Sequence, residues 1–339
     1  MGLTSVTRRS FSLKSPAQFM DILETSSLAP RNPFFSVIVP TYNRASSIES
    51  TLRSVKEQTL ADFECIIIDD GSADYAELIR LVESLDDFRF RVERRENGGG
   101  GAARNSGIRA SKGKFIAFLD SDDFFMGSKL ECYKAAIDAT IDAGHTVFFS
   151  QVVVDRGRAG TWTKPSRGPS PQESIDEYLI LRGGFIQTST IVLARDVAVR
   201  IGFDESLPFG QDTDFCIRLA AGGYNFRMLF PPLVIWRDDS VANRVSSSRK
   251  HEALLAWTDR NRESMTSRSY HAYRGWHVAK AAMSSQRGLS ARLYCTALFS
   301  GAFSPTLAAR VLLQLTFPPK FYRALADLVV RVAGKRLEN

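Results

Sequence analysis

Four short apolar runs, each followed by a helix-forming stretch, fall within residues 35–119, and this alternation limits the fold more than any other feature. Phe35-Ser36-Val37-Ile38-Val39 stops at Pro40 and reads as a strand buried on both faces, as in a parallel sheet. Ser46-Ser47-Ile48-Glu49 has the form of a capping box and predicts a helix over 47–58. Glu64-Cys65-Ile66-Ile67-Ile68 is a second strand, followed by a helix over 75–85, a strand over 89–94, a helix over 102–110 and a strand over 114–119. Four strand–helix units in so short a stretch predict a doubly wound α/β sheet.

Ligands of such sheets bind beyond the carboxyl ends of the strands. Three of those ends carry polar clusters here: Pro40 to Asn43, Asp69 to Ser72, and Asp120 to Asp123. Farther on, 147–154, 188–194 and 226–236 read as strands, with an acidic segment over 203–214. Residues 157–171 are rich in Gly, Pro and Ser and read as a mobile loop. The chain therefore divides into a polar extension (1–33), an α/β body (34–246) and a helical C-terminal region (247–339).

Charge separates the last two. Residues 241–339 hold 16 Lys/Arg against 5 Asp/Glu, a balance of +11; with a whole-chain charge of +7, the first 240 residues total −4. An acidic body argues against nucleic acid as its partner, while the basic tail suits an anionic surface. In that tail Val311-Leu312-Leu313, Phe317, Phe321-Tyr322 and Leu328-Val329-Val330 alternate with Arg310, Lys320, Arg323 and Arg331. Helices of this kind lie on a membrane surface or pack against the body with a solvated basic face. Cys295 to Ala309 is uncharged, but fifteen residues interrupted by Pro305 are too few to span a bilayer. Cys65, Cys132, Cys216 and Cys295 form no C-x-x-C pair and read as buried, reduced thiols of a cytoplasmic protein. Val6 occupies the Ser/Thr position of a myristoylation signal, and no apolar segment follows Arg8 and Arg9 as in a secretory signal.

Asp120-Ser121-Asp122-Asp123 follows an apolar run, so its carboxylates sit at a strand tip, where they suit Mg²⁺ or Mn²⁺ shared with substrate phosphates. Asp69-Asp70-Gly71-Ser72 offers acceptors to a base or ribose, or forms a turn with a helix cap. Asn97 and the glycines that follow supply flexible backbone before Arg104 and Asn105. Gly98, Gly100 and Ala103 also fit the dinucleotide-binding fingerprint, but they follow the third strand instead of the first, so an oxidoreductase reading is set aside.

Taken in order, these segments resemble family 2 glycosyltransferases of the GT-A fold. The resemblance is carried by Val37 to Arg44, Ile67 to Ser72, Ala103-Arg104-Asn105-Ser106-Gly107, Phe118 to Asp123, Gly202-Phe203-Asp204-Glu205 and Gly210-Gln211-Asp212-Thr213-Asp214, and it covers residues 34–246. It implies a mixed sheet flanked by helices and inverting transfer from a nucleotide-sugar, such as a UDP-sugar, to a glycan or lipid-linked hydroxyl. By the same resemblance Pro40, Thr41, Tyr42, Asn43, Asp69, Asp70 and Asn97 belong to the donor-binding wall, with Arg104, Asn105 and Asp120 beside the nucleotide. Asp122 is the implied ligand of Mn²⁺ or Mg²⁺, with Asp120 and Asp239 as further candidates. Asp212 is the implied general base.

Two positions depart from the family pattern. Gln211 stands where Glu usually precedes the base, which removes a like charge beside Asp212 and leaves an inactive nucleotide-sugar-binding subunit as the alternative. Trp236-Arg237-Asp238-Asp239-Ser240 replaces a Tyr-Arg pair with a later His. None of His145, His251, His271 and His277 has metal-motif spacing.

Overall fold

A computed structural model describes residues 32–157, 160–207, 209–238 and 251–317. The first half alternates as predicted: β1 (Phe35–Thr41), α1 (Glu49–Lys56), β2 (Phe63–Asp69), α2 (Tyr75–Ser84), β3 (Phe90–Arg94), α3 (Gly99–Ala110) and β4 (Phe115–Phe118). Then follow β5 (Phe124–Phe125), α4 (Lys129–Asp138), β6 (Thr146–Asp155), β7 (Thr161–Lys164), α5 (Ile175–Ile180), β8 (Val192–Ala194), α6 (Arg195–Ile201), α7 (Gln211–Ala221) and β9 (Asn225–Arg237). The strands form one nine-stranded sheet in the order β3-β2-β1-β4-β8-β6-β9-β5, with β7 paired to β6.

The chain winds outward through β1, β2 and β3, all parallel, and then returns to lay β4 on the other side of β1. That reversal opens a crevice at the carboxyl ends of β1 and β4. Every residue of β1 and β2 is buried, as expected of central strands covered on both faces. β1 continues through Pro40, which pairs with Ile68. The β4 ladder ends earlier, at the Ile38–Phe118 pair, so Pro40 lies beyond it and its missing N–H breaks no bond on that side. β8 is antiparallel to both β4 and β6, and β5 to β9, which makes the sheet mixed.

Several local expectations are corrected. The capping box does not form: α1 begins at Glu49, Ile48 is already helical, and the Ser47 and Ile48 N–H groups donate to the Arg44 carbonyl. The glycines after Asn97 are the first turn of α3 instead of a loose loop. Close packing accounts for the two that matter most: a Cβ on Gly107 would lie 2.4 Å from an Ile38 methyl, and one on Gly101 would lie 2.9 Å from the Gln211 side chain. Within the 157–171 segment, β7 pairs antiparallel to β6. Cys65 and Cys216 are buried, but Cys132 is only partly covered and Cys295 is exposed.

The C-terminal helices α8 (His251–Arg260), α9 (Ser267–Tyr273), α10 (Ala279–Ala282), α11 (Arg287–Phe299) and α12 (Pro305–Thr316) share a second apolar cluster. Ile180, Leu207 and Ile217 of the α/β body join it, so these helices dock against α5 and α7. Pro305 opens α12 at a position where its missing N–H needs no partner, and the Ser304 hydroxyl accepts from the Leu307 N–H. Among the described residues no helix is long and apolar enough to cross a membrane. Residues 1–31 of the expected 1–33 extension, and the tail pattern at Phe321, Tyr322 and Leu328 to Val330, lie outside the described residues.

Candidate active site

Two loops are sewn together where β1 and β2 leave the sheet. Asn43 adopts φ 52°, a left-handed conformation that Asn tolerates better than most residues. Its N–H donates to Ser72 Oγ at 2.9 Å and its Oδ1 accepts the Ala73 N–H at 2.8 Å. The Ala45 N–H donates to Asp74 at 2.8 Å. The wall so anchored, Pro40 to Arg44, lines a cleft of about 690 Å³ with Asp70, Gly100, Arg104 and the Asp120–Asp122 turn. Thr41 is buried, and its hydroxyl has no hydrogen-bond partner among the described residues; Tyr42, at 51% exposure, holds its ring at the rim. A buried orphan hydroxyl in a cleft wall suits a polar ligand.

The other donor-side candidates divide. The Asp70 carboxylate accepts from the Gly98 and Gly99 N–H groups at 3.1 and 2.7 Å and pairs with Arg95, so it caps α3 while still lining the cleft. Asn97 donates to the Asp70 carbonyl at 2.9 Å and lines a neighbouring chamber. Asp69 is fully buried, accepting from the Ser72 N–H at 3.2 Å with Arg94 3.4 Å away, and does not line the cleft. Asn105 does not line it either. Its side chain bonds both the N–H and the carbonyl of Phe203 and reaches Glu205, tying α3 to the loop before α7.

At the tip of β4 each carboxylate meets an arginine. Arg104 Nη2 lies 2.5 Å from Asp120 Oδ1, and Arg44 Nη1 lies 3.1 Å from Asp122 Oδ2. Burial raises the Asp122 carboxyl above its usual range and the Asp120 charge adds to this, while Arg44 opposes it. Below the turn, fully buried Asp123 accepts from Ser189 Oγ at 2.6 Å and from Gln187 Nε2 at 2.5 Å. Ser189 Oγ in turn accepts the Asp120 N–H at 2.9 Å, so this network holds the carboxylate turn from beneath. Gln187 and Ser189 were not among the residues singled out from the sequence. Their signal was the polar string Gln187-Thr188-Ser189-Thr190 at the start of a strand predicted over 188–194; Thr188 to Thr190 form a 3₁₀ turn capped by Gln187.

A second chamber of about 610 Å³ adjoins the first and shares Gly100 and Arg104 with it. Asp212 lines it from the first turn of α7, with Gln211, Glu205 and Phe209. The Asp212 carboxylate accepts the N–H of its neighbour Thr213 at 2.8 Å. Burial pushes its carboxyl up and the charge of Asp120 adds to this, against the Thr213 bond and Arg104. Gln211 accepts from Arg104 Nη1 at 2.6 Å and donates to the Leu207 carbonyl at 2.6 Å, so the uncharged residue is built into the wall. Asp214, two residues on, faces away: it is 1% exposed and bound to Arg218 and Trp257. Asp239 lies outside the described residues.

The donor set suits a hard cation only in part. Among the described residues no group of three or more His, Cys, Asp or Glu side chains is placed to hold a metal. One or two carboxylates suffice, however, for a divalent ion that completes its shell with phosphate oxygens and water. Asp120 and Asp122, both in the cleft, supply that number.

Comparison with known proteins agrees with this architecture. The family model described as glycosyl transferase family 2 matches residues 36–200. The chain is 35% identical over 254 residues to the amylovoran biosynthesis glycosyltransferase AmsB of Erwinia amylovora, covering 72% of this chain and 83% of that one. It spans less than two thirds of several other curated glycosyltransferases that it matches. In fold it is similar to S. aureus TarS 1-349, crystallised with UDP-GlcNAc, at TM-score 0.60 and 20% identity, over 86% of this chain and 87% of that one. It is also similar to the mannosyltransferase PcManGT of Pyrobaculum calidifontis, solved with GDP-Man and Mn²⁺, at TM-score 0.52 and 17% identity, over 88% and 93% of the two chains. With the matched segment running from β1 into α6 and a relative aligned over most of its length, the chain belongs to the family 2 glycosyltransferases.

Proposed function

We propose that this glycosyltransferase moves a sugar from a nucleoside-diphosphate sugar, a UDP-sugar in the first instance, to a hydroxyl of a glycan or lipid-linked acceptor, inverting the anomeric carbon. The observation that carries the reading is the pair of adjoining chambers sharing Arg104 and Gly100, with Asp120 and Asp122 in one and Asp212 in the other. The first takes the donor: Pro40 to Asn43 face the base and ribose, with the Thr41 hydroxyl open to a hydrogen bond. Asp122, aided by Asp120, holds Mn²⁺ or Mg²⁺ against the diphosphate. That ion, when bound, offsets negative charge on the departing nucleotide. Asp212 faces the acceptor, and its raised pKa suits it to take the hydroxyl proton during attack. The name of the Erwinia relative and the nucleotide-sugars bound by the structural neighbours support the substrate class.

Release of UDP from UDP-sugars by purified protein with Mn²⁺ tests this reading. Wild type should release UDP, and Asp122→Asn should lose at least about tenfold of that rate while melting normally, because a metal ligand at a strand tip supports chemistry more than packing. A protein that turns over no nucleoside-diphosphate sugar would refute the reading.

The same reading places the enzyme at the cytoplasmic face of a membrane, where a lipid-linked acceptor would be met. Residues 264–317 contain six Lys/Arg and no Asp/Glu, and Leu298, Phe299, Leu312 and Leu313 are exposed on α11 and α12. Exposed apolar side chains in a stretch with an excess of basic residues favour an anionic surface. The protein should float with anionic vesicles and detach in high salt; equal recovery with zwitterionic vesicles would count against the contact.

A further inference from the structure

The two arginines beside the β4 carboxylates are held very differently. Arg104 is 9% exposed, bonded to Asp120 and to Gln211, with its guanidinium 5.3 Å from the centre of the Phe203 ring. Three separate segments fix it. Arg44 has a fixed base and a loose arm. Its carbonyl accepts the Ser47 and Ile48 N–H groups, and its neighbours Asn43 and Ala45 are fastened to the β2–α2 turn. Its side chain is 34% exposed and touches Asp122, itself 47% exposed, at 3.1 Å. Ion pairs this open to water contribute little and exchange readily.

We propose that Arg44 is a placeholder cation: it pairs with Asp122 while the cleft is empty, yields that carboxylate when a divalent cation binds, and turns its freed guanidinium to the diphosphate of the donor. This rests on the metal-dependent donor reading above and adds to it a coupling between the two ligands. Asp122 must leave Arg44 to accept a cation, and Arg44 must leave Asp122 to meet a phosphate. Each ligand therefore removes an obstacle to the other, and the coupling is reciprocal. Arg104, locked between Asp120 and Gln211, has no such freedom and keeps the shared wall of the two chambers in place.

Calorimetric titrations of Mn²⁺ alone, UDP alone, and each in the presence of the other separate the possibilities in wild type, Arg44→Gln and Arg44→Lys. Removing the competing guanidinium should raise the affinity for Mn²⁺ alone by about two- to fivefold, the range expected for a weak surface pair. The same Arg44→Gln variant should bind UDP more weakly when Mn²⁺ is present, so the synergy between the ligands shrinks. Arg44→Lys keeps the charge and should return Mn²⁺ affinity to the wild-type value. If Arg44→Gln binds Mn²⁺ no more tightly than wild type and keeps the full synergy, the exchange is wrong while the metal reading stands. If Arg44→Lys behaves as Arg44→Gln does, charge is not what holds Asp122, and the placeholder role is overturned. Wild-type protein that binds UDP equally with and without Mn²⁺ overturns the metal reading and the exchange together.

Discussion

Asp212 and Asp214 stand two residues apart on α7 and live in opposite environments. On a helix, side chains at that spacing do not share a face. Asp212 looks into the second chamber with a single hydrogen bond, from its neighbour's N–H. Asp214 looks back to the C-terminal helices, accepting from Trp257 Nε1 of α8 at 2.7 Å and from Arg218, one turn further along α7, at 2.8 Å. One carboxylate is left short of partners and rises in pKa; the other is saturated and joins two parts of the fold. One side of α7 thus faces a chamber while the other packs against the C-terminal helices.

The comparison breaks most visibly at Asp212. Asp212→Asn should cost at least about a hundredfold in transfer rate, the usual contribution of a general base, while UDP affinity stays within a few-fold and the melting temperature is unchanged. Product formation and calorimetry on the same preparation decide this. Transfer at the parental rate would remove Asp212 from the mechanism. Asp214→Ala should do the reverse: with Arg218 and Trp257 stripped of their partner inside the fold, stability should fall by about 3 kcal/mol, read from urea unfolding. An Asp214 variant as stable as wild type would show that α7 is held by apolar contact alone.

The smallest expected effect is a displacement of the pH profile. A base acts deprotonated, so turnover is lost as pH falls through its folded-state pKa, and that pKa lies above the ordinary carboxylate range because burial and Asp120 outweigh Arg104. The acid limb of kcat should accordingly sit at higher pH than a free carboxylate would place it, and a further opposing charge should move it. An acid limb at the ordinary carboxylate position would mean that Asp212 is solvated when it works.

Much of this was legible in the chain because parallel strands buried on both faces leave nearly continuous apolar runs. β1 to β4 were therefore predicted in place and in order, and the polar clusters at their ends fall around one crevice. Ends and caps were not legible. Ser46 to Glu49 had the pattern of a capping box, yet the Ser47 and Ile48 N–H groups donate to the Arg44 carbonyl and α1 starts at Glu49 without a side-chain cap. The glycines at 99–101 had the composition of a loop but became helix, because Asp70 capped them and Gln211 packed against them.

The sequence by itself determined the doubly wound order, the strand-tip carboxylates and the segments that carry the family resemblance, since each depends on local pattern or on short-range spacing. It could not say which polar side chains would face the cleft. Asp69 and Asn105 looked as eligible as Asp70 and Arg104, and only packing turned the first two away from the crevice and left the last two lining it. Nor could it show that Arg44 meets Asp122, or that Arg104 pairs with Asp120 and also reaches Gln211, 107 residues farther along the chain. Which carboxylate is neutralised and which is left basic depends on distances that exist only after the sheet has closed and the helices have docked, because Coulombic and hydrogen-bond energies fall steeply with separation.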